Sequence, residues 1–135
     1  MVGPVKDTRA MIRSMAPQRA EGLFVFCTTS DPDQAKRLIS HALSSFQEAE
    51  GLSLILPLAL AKDEGFDTAL PMAQITLQVH SALDGVGLTA AVATALADHA
   101  IPCNMVAGYH HDHAFLPADM ADTALAILTE LAAAS

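Results

Sequence analysis

Between Ala73 and His80, apolar Ala73, Ile75, Leu77 and Val79 alternate with Gln74, Thr76, Gln78 and His80. A two-residue period of this kind predicts a strand with one buried and one polar face. The short run Asp84-Gly85-Val86-Gly87-Leu88 follows as a turn. Leu88, Ala91, Val92, Ala95, Leu96 and His99 then recur at helical spacing. Ile101 and Pro102 lead into a second strand, Cys103 to Gly108, and His110-His111-Asp112-His113 forms a tight polar turn. Ala114 to Leu116 reads as a third strand. Pro117 stands where the first turn of a helix tolerates proline, and Met120, Ala124, Ile127, Leu128 and Leu131 mark the stripe of that helix.

The first half is patterned less cleanly. Asp7 or Thr8 caps a short helix running to Met15, closed by Pro17. Gly22-Leu23-Phe24-Val25-Phe26-Cys27-Thr28 is apolar on both faces, which predicts a central strand covered on both sides. Gln18 to Glu21 is expected to pair with it as a short polar strand. Ser30-Asp31-Pro32-Asp33 is a turn and helix cap. Ala35, Leu38, Ile39, Ala42, Leu43 and Phe46 predict a single helix with one apolar stripe. Gly51 ends the following linker, Leu52 to Leu56 has strand length, and Pro57 to Glu64 a short helix.

The first half thus reads helix, strand, strand, helix, strand, and the second strand, helix, strand, strand, helix. Each lacks one strand of a βαββαβ unit. The expectation is an α+β fold of two interlocked ferredoxin-like halves, residues 1–66 and 67–135, each an antiparallel sheet with helices on one face. Unpaired strand edges need covering, which predicts a homodimer.

Charge removes several function classes. The net charge of −8 over 135 residues gives no basic footprint for nucleic acid and disfavours an anionic membrane surface. No apolar run approaches the ~20 residues of a membrane helix, and no leader pattern opens the chain, so a soluble cytoplasmic protein is expected. Cys27 and Cys103 sit in apolar strands without partners at metal-ligand spacing, which reads as two buried reduced thiols.

Two places carry chemistry. At the turn after the alternating strand, Gly85 and Gly87 permit unusual backbone angles and close approach. The free N–H groups at the following helix N-terminus can receive a carboxylate. Asp84 either caps the helix or holds a ligand's amino group. His80 ends the strand beside the turn, and Ser81 and Thr89 flank it with hydroxyls. The plain alternative is a tight turn that needs glycine. The second place is His110-His111-Asp112-His113: imidazole and carboxylate form a ligand set for Zn, Ni or Fe. It lacks a cysteine and any metal-enzyme motif, and a solvated hairpin turn is the simpler reading, so neither a metal nor another cofactor is assigned. His99, near a helix C-terminus, is explained by the helix dipole. No Ser-His-Asp order and no Gly-Lys-Ser/Thr loop supports hydrolysis or nucleotide binding.

The order Thr76-Leu77-Gln78-Val79-His80-Ser81, Asp84, Val86-Gly87-Leu88, Leu96 and Ile101-Pro102-Cys103-Asn104 resembles the ACT domain, whose architecture is βαββαβ. Val86-Gly87-Leu88 is similar to the turn of aspartate-kinase regulatory domains. With Gly22-Leu23-Phe24-Val25-Phe26-Cys27 and the stretch from His80 through Gly108-Tyr109-His110-His111-Asp112-His113, nearly the whole chain resembles a bacterial group of stand-alone ACT proteins. The resemblance implies a non-catalytic regulatory protein binding an amino acid at His80, Ser81, Asp84, Gly85, Val86, Gly87 and Leu88, often between two ACT units. The alternatives are a metal-binding protein or small metal-dependent enzyme using the His110–His113 hairpin, and an interaction module with no ligand.

Overall fold

The computed structural model describes residues 7–79 and 85–135. In chain order the elements are α1 (Thr8–Arg13), β1 (Gln18–Arg19), β2 (Phe24–Thr29), α2 (Pro32–Leu38), β3 (Ser44–Glu48), β4 (Gly51–Pro57) and α3 (Leu58–Asp63). They continue as β5 (Met72–Leu77), α4 (Leu88–Ala97), β6 (Asn104–Ala107), β7 (Asp112–Pro117) and α5 (Ala121–Ala133). Single 3₁₀ turns at Ile39–His41 and Ala118–Met120 close α2 and open α5. Two compact units result, one formed by Gly22–Met72 and the other by Met1–Glu21 with Ala73–Ser135.

In the unit of residues 22–72, strand β4 lies between β3 and β2, antiparallel to both. Phe24 to Thr29 pair in register with Pro57 to Leu52. The face of this sheet carrying Val25, Leu52, Leu54 and Leu56 packs on Leu38 of α2 and Ala61 of α3, with half-buried Cys27, Ala35, Leu58 and Phe66 around them. Aliphatic branching suits this core, since Leu and Val bury about 1.5–3 kcal/mol each without a polar atom to satisfy. The double-sided burial expected of β2 holds at Phe24 (7% exposed) and Val25 (3%) but not at Phe26, which is 43% exposed.

A single helix from Ala35 to Phe46 does not form. Helix α2 stops at Leu38, and Ser44–Glu48 is a strand that closes a hairpin on β4 through Glu48 and Gly51. Serines 44 and 45 are mediocre helix formers, while the turn at residues 49 and 50 lets the chain reverse. Phe46 therefore lies on a strand, 73% exposed. Asp31 caps α2, its side chain accepting from the Asp33 N–H at 3.0 Å, and Pro32 opens the helix. At its other end Arg37 grips Glu64 with two hydrogen bonds of 2.7 and 2.8 Å. That guanidinium holds the Glu64 carboxyl below its ordinary range, helped by the Gln34 amide and opposed by partial desolvation.

In the other unit the strands run β1, β5, β7, β6 across the sheet. Strand β1 does not pair with β2 as expected. Gln18 and Arg19 lie antiparallel to Thr76 and Ile75 of β5 instead, and the Met15 carbonyl accepts from the Gln78 N–H. The N-terminal segment thus supplies a strand to the unit of the C-terminal half, as the interlocked element orders predict. Helices α1, α4 and α5 contact one another. Met11 and Met15 join Ile75, Leu77, Val92, Leu96, Leu116 and Leu128 among the almost fully buried side chains. Alternation in β5 is real: Met72, Ala73, Ile75 and Leu77 are buried, while Gln74 and Thr76 are half-buried.

Candidate functional site

The turn that leads into α4 is built from two distant parts of the chain. Gly87 is the N-cap residue and takes a left-handed φ of 107°, which favours glycine. A Cβ there would stand 2.7 Å from Thr8 Cγ2 and 3.0 Å from Thr8 Oγ1. The Thr8 hydroxyl donates to the Val86 carbonyl oxygen. The close approach at the Cβ side of Gly87 is therefore made by Thr8, a neighbour that sequence inspection misses. The chain between Thr8 and Val86 hides it.

Among the described residues no side chain caps α4, and no acidic residue sits in its first turn. The first helical N–H bonded within the helix is that of Ala91, which donates to the Gly87 carbonyl at 2.9 Å. Thr89 and Ala90 are exposed, Leu88 is buried at 4%, and Val86 projects at 76%. A carboxylate against these N–H groups gains about 0.3–1 kcal/mol from the helix dipole beyond its hydrogen bonds. Of the residues named for this site, Gly85, Val86, Gly87 and Leu88 come together at the turn. His80, Ser81 and Asp84 lie outside the described residues.

The strand-to-helix turn of the other unit is shaped differently. There a cleft of about 210 Å³ is lined by Thr29, Ser30, Asp31, Pro32, Gln47 and Gly51, among others. Part of its polar lining is already engaged: the Thr29 hydroxyl donates to Gln34 Oε1 at 2.7 Å and accepts from the Asp31 N–H at 3.2 Å. Asp31 satisfies the helix end and would repel a ligand carboxylate. Sequence inspection reads this segment only as a cap, and Gln47, which joins it from β3, becomes visible only once β3 is a strand.

The histidine hairpin is not a solvated loop throughout. The Gly108 N–H donates to the His111 carbonyl at 2.9 Å, which leaves Tyr109 and His110 at an exposed tip. His113 belongs to β7, and its Nδ1 lies 3.1 Å from Gln74 Nε2 and 3.0 Å from Thr76 Oγ1. The Gln74 amide nitrogen only donates, so Nδ1 accepts and the ring proton sits on Nε2. Partial burial pushes the His113 pKa down, the neighbouring His111 adds to the shift, and Asp112 opposes it. His111 Nδ1 is itself buried without a hydrogen-bond partner among the described residues. Among the described residues, no three of His, Cys, Asp and Glu are placed to hold a metal ion. His99 Nδ1 lies 3.0 Å from the Ala95 carbonyl, at the end of α4. Cys27 and Cys103 are free thiols, half-buried rather than buried, and burial raises both pKa values.

One consequence is a pH dependence. The folded His113 holds its proton less well than the unfolded one, so below the ordinary imidazole pKa of about 6.5 the unfolded state takes up more protons. Stability should fall as pH drops from neutrality through that value towards the depressed folded pKa. His113→Gln should flatten this part of the curve in urea titrations at stepped pH. An unchanged slope would exclude His113 as its source.

Residues 4–73 match one ACT-domain family model and residues 70–130 match a second. No curated protein matches the chain. A Vibrio cholerae protein of unknown function, described as a possible transport protein, is 41% identical over 87% of this chain and 89% of its own, with a TM-score of 0.79. The ligand-free regulatory subunit of aspartate kinase from Thermus thermophilus shares the fold, with 9% identity, coverage of 87% and 97%, and a TM-score of 0.63. An Agrobacterium tumefaciens protein does likewise at 14% identity, 86% and 87% coverage, and a TM-score of 0.63. Among the described residues no helix is long and apolar enough to cross a membrane. With two such matches in tandem on paired α/β units, the chain belongs to the ACT-domain family, whose members are typically regulatory, ligand-binding modules.

Proposed function

We propose that this protein is a non-catalytic cytoplasmic sensor, working as a homodimer, that binds an amino acid at the turn His80, Ser81, Asp84, Gly85, Val86, Gly87 and Leu88. The two ACT repeats are taken as residues 1–66 and 67–135. The observation that carries the reading is the N-terminus of α4, a helix of ten residues that no side chain among the described residues caps, with Thr89 and Ala90 exposed and no acid in its first turn. Its N–H groups are complementary to a carboxylate, while the other unit's turn already holds Asp31. Recognition by backbone groups reads the zwitterion's common end, and leaves the side chain to be read elsewhere.

The test sets stability against affinity. Thr89→Asp puts a carboxylate into the first turn of α4, which should stabilise the helix by about 0.3–1 kcal/mol and repel a ligand carboxylate. Wild type is first screened by thermal shift against the twenty amino acids; a ligand at one hundred times its dissociation constant adds about 2.7 kcal/mol. Calorimetric titration of the best ligand should then show at least a several-fold weaker affinity in a variant that melts no earlier than wild type. Full affinity in Thr89→Asp would move the site elsewhere, and no response to any amino acid would remove the reading.

A further inference from the structure

We propose that the segment Thr8–Met15 is a strap joining the end of β5 to the start of α4, with Thr8 as the positioning residue that orients the Val86–Gly87 peptide. The strap regulates the turn named above, and it rests on the amino-acid reading only for its consequence on binding.

The strap is anchored at both ends within one unit of the molecule. At one end the Met15 carbonyl accepts from the Gln78 N–H at 2.6 Å, one residue past β5. At the other the Thr8 hydroxyl donates to the Val86 carbonyl oxygen, two residues before α4. Between the anchors runs α1, a helix of six residues, too short to hold itself in water. Its seat comes from Met11, Ile12 and Met15, which are 1%, 9% and 0% exposed, and from contacts with α4 and α5. Past Met15 the chain bends at Ala16, whose φ of 42° is left-handed. A residue with a side chain keeps that conformation only where its surroundings over-determine it. The chain then runs back beside β5, where the Ala20 N–H donates to the Gln74 carbonyl at 2.9 Å.

Thr8 meets the turn with both arms of its branched side chain. The hydroxyl takes the Val86 carbonyl, and the methyl carbon stands 2.7 Å from where a Cβ on Gly87 would lie. The Val86 carbonyl and the Cβ side of Gly87 thus both face α1. The peptide between them is trans, so its N–H points opposite to its C=O, away from α1. That N–H leads the row continued by Leu88 and Thr89, the first residues of α4. Without the Thr8 hydroxyl the plane hangs on a glycine, the residue with the widest backbone freedom, and its rotation carries the N–H out of the row.

The experiment is NMR relaxation of the backbone amides of the full chain, with Val92 and Leu96 of α4 as internal reference and circular dichroism melting as the control for folding. In wild type and Thr8→Ser, the order parameters of Gly87 and Leu88 should match the reference at about 0.85. Thr8→Val keeps the shape of the side chain and loses the hydroxyl. There both should fall below about 0.6 while the reference does not move. Space filling alone would be kept by Val and lost by Ser, so the pattern separates orientation from packing. Met11→Ala loosens the seat of α1, and amide exchange at Gln78 should then speed by at least about tenfold relative to Val92, together with the loss of order at Gly87. A Thr8→Val turn as ordered as wild type overturns the proposal. So does a Thr8→Ser turn as loose as Thr8→Val, or a Met11→Ala protein in which Gln78 changes and Gly87 does not. On the binding side, the amino acid of the twenty that gives wild type its largest thermal shift should bind Thr8→Val several-fold more weakly and Thr8→Ser as before. Unchanged affinity in a loosened Thr8→Val turn overturns the regulatory part. A wild type that answers to none of the twenty removes the amino-acid reading, and the order parameters alone then decide the strap.

Discussion

Gly51→Ala should cost about 3–4 kcal/mol, a large share of the stability of a domain this size. Gly51 opens β4 with φ at 152°, and a Cβ would stand 2.5 Å from the Thr29 carbonyl oxygen and 3.0 Å from its carbon. Backbone strain accounts for about 1–3 kcal/mol and overpacking for a comparable amount. The clash is with main chain, held by the pairing of Thr29 with Leu52, so it cannot be relieved by a rotamer change. Gly65→Ala is the matched control, since Gly65 has φ at 83° and nothing within 4 Å of the added carbon. Urea denaturation of the two variants separates the contact from the strain. Equal losses would show that the Thr29 carbonyl yields, and that conformation alone requires the glycine.

Gly87→Val should cost about 2–4 kcal/mol, through left-handed strain of about 1–2 kcal/mol and the contact with Thr8. The contact can be tested through its partner: Thr8→Ala removes the two nearest atoms that a Cβ at position 87 would meet and leaves only the Thr8 Cβ, at 3.4 Å. The double variant should lose less than the sum of the two singles, with a coupling in the range of about 0.5–3 kcal/mol. Additive losses would place the cost entirely in the backbone. The same variant bears on the ligand. If the turn also receives an amino acid, affinity corrected for the folded fraction should fall as well. A Gly87→Val protein that is less stable yet binds normally would leave Gly87 a purely structural residue.

The elements that were legible in the sequence are those whose period is unambiguous over enough residues. Alternation from Ala73 to His80 gives β5, and the stripes after Leu88 and Met120 give α4 and α5, each displaced by one to three residues at its ends. Strand β3 was hidden because Phe46 continues the helical spacing of Leu38, Ile39, Ala42 and Leu43. Spacing does not reveal that Phe46 is exposed, nor that Gly51 turns the chain back against Thr29. The pairing of β1 with β5 and the seat of Thr8 at Gly87 join segments far apart in sequence, and no local pattern marks either. His113 was misleading for a related reason. Gln74 and Thr76 looked like the solvated face of a strand, yet both face the His113 ring and are half-buried with it.

One unit of the molecule is contiguous and the other is not, and this sets the order in which the chain can mature on the ribosome. Synthesis delivers β1 before residues 22–72, but its partners Ile75 and Thr76 emerge only after the whole of that stretch. The contiguous unit can close early through its local β3–β4 hairpin. Met11 and Met15 meanwhile wait for α4 and α5, and are available to chaperones until the C-terminal helix is complete. Joining ends across so long a loop adds little to its cost, since closure entropy grows only with the logarithm of length. The delay is therefore one of delivery, and the segment that carries β1, made before residues 22–72, finds its partner strand only after them.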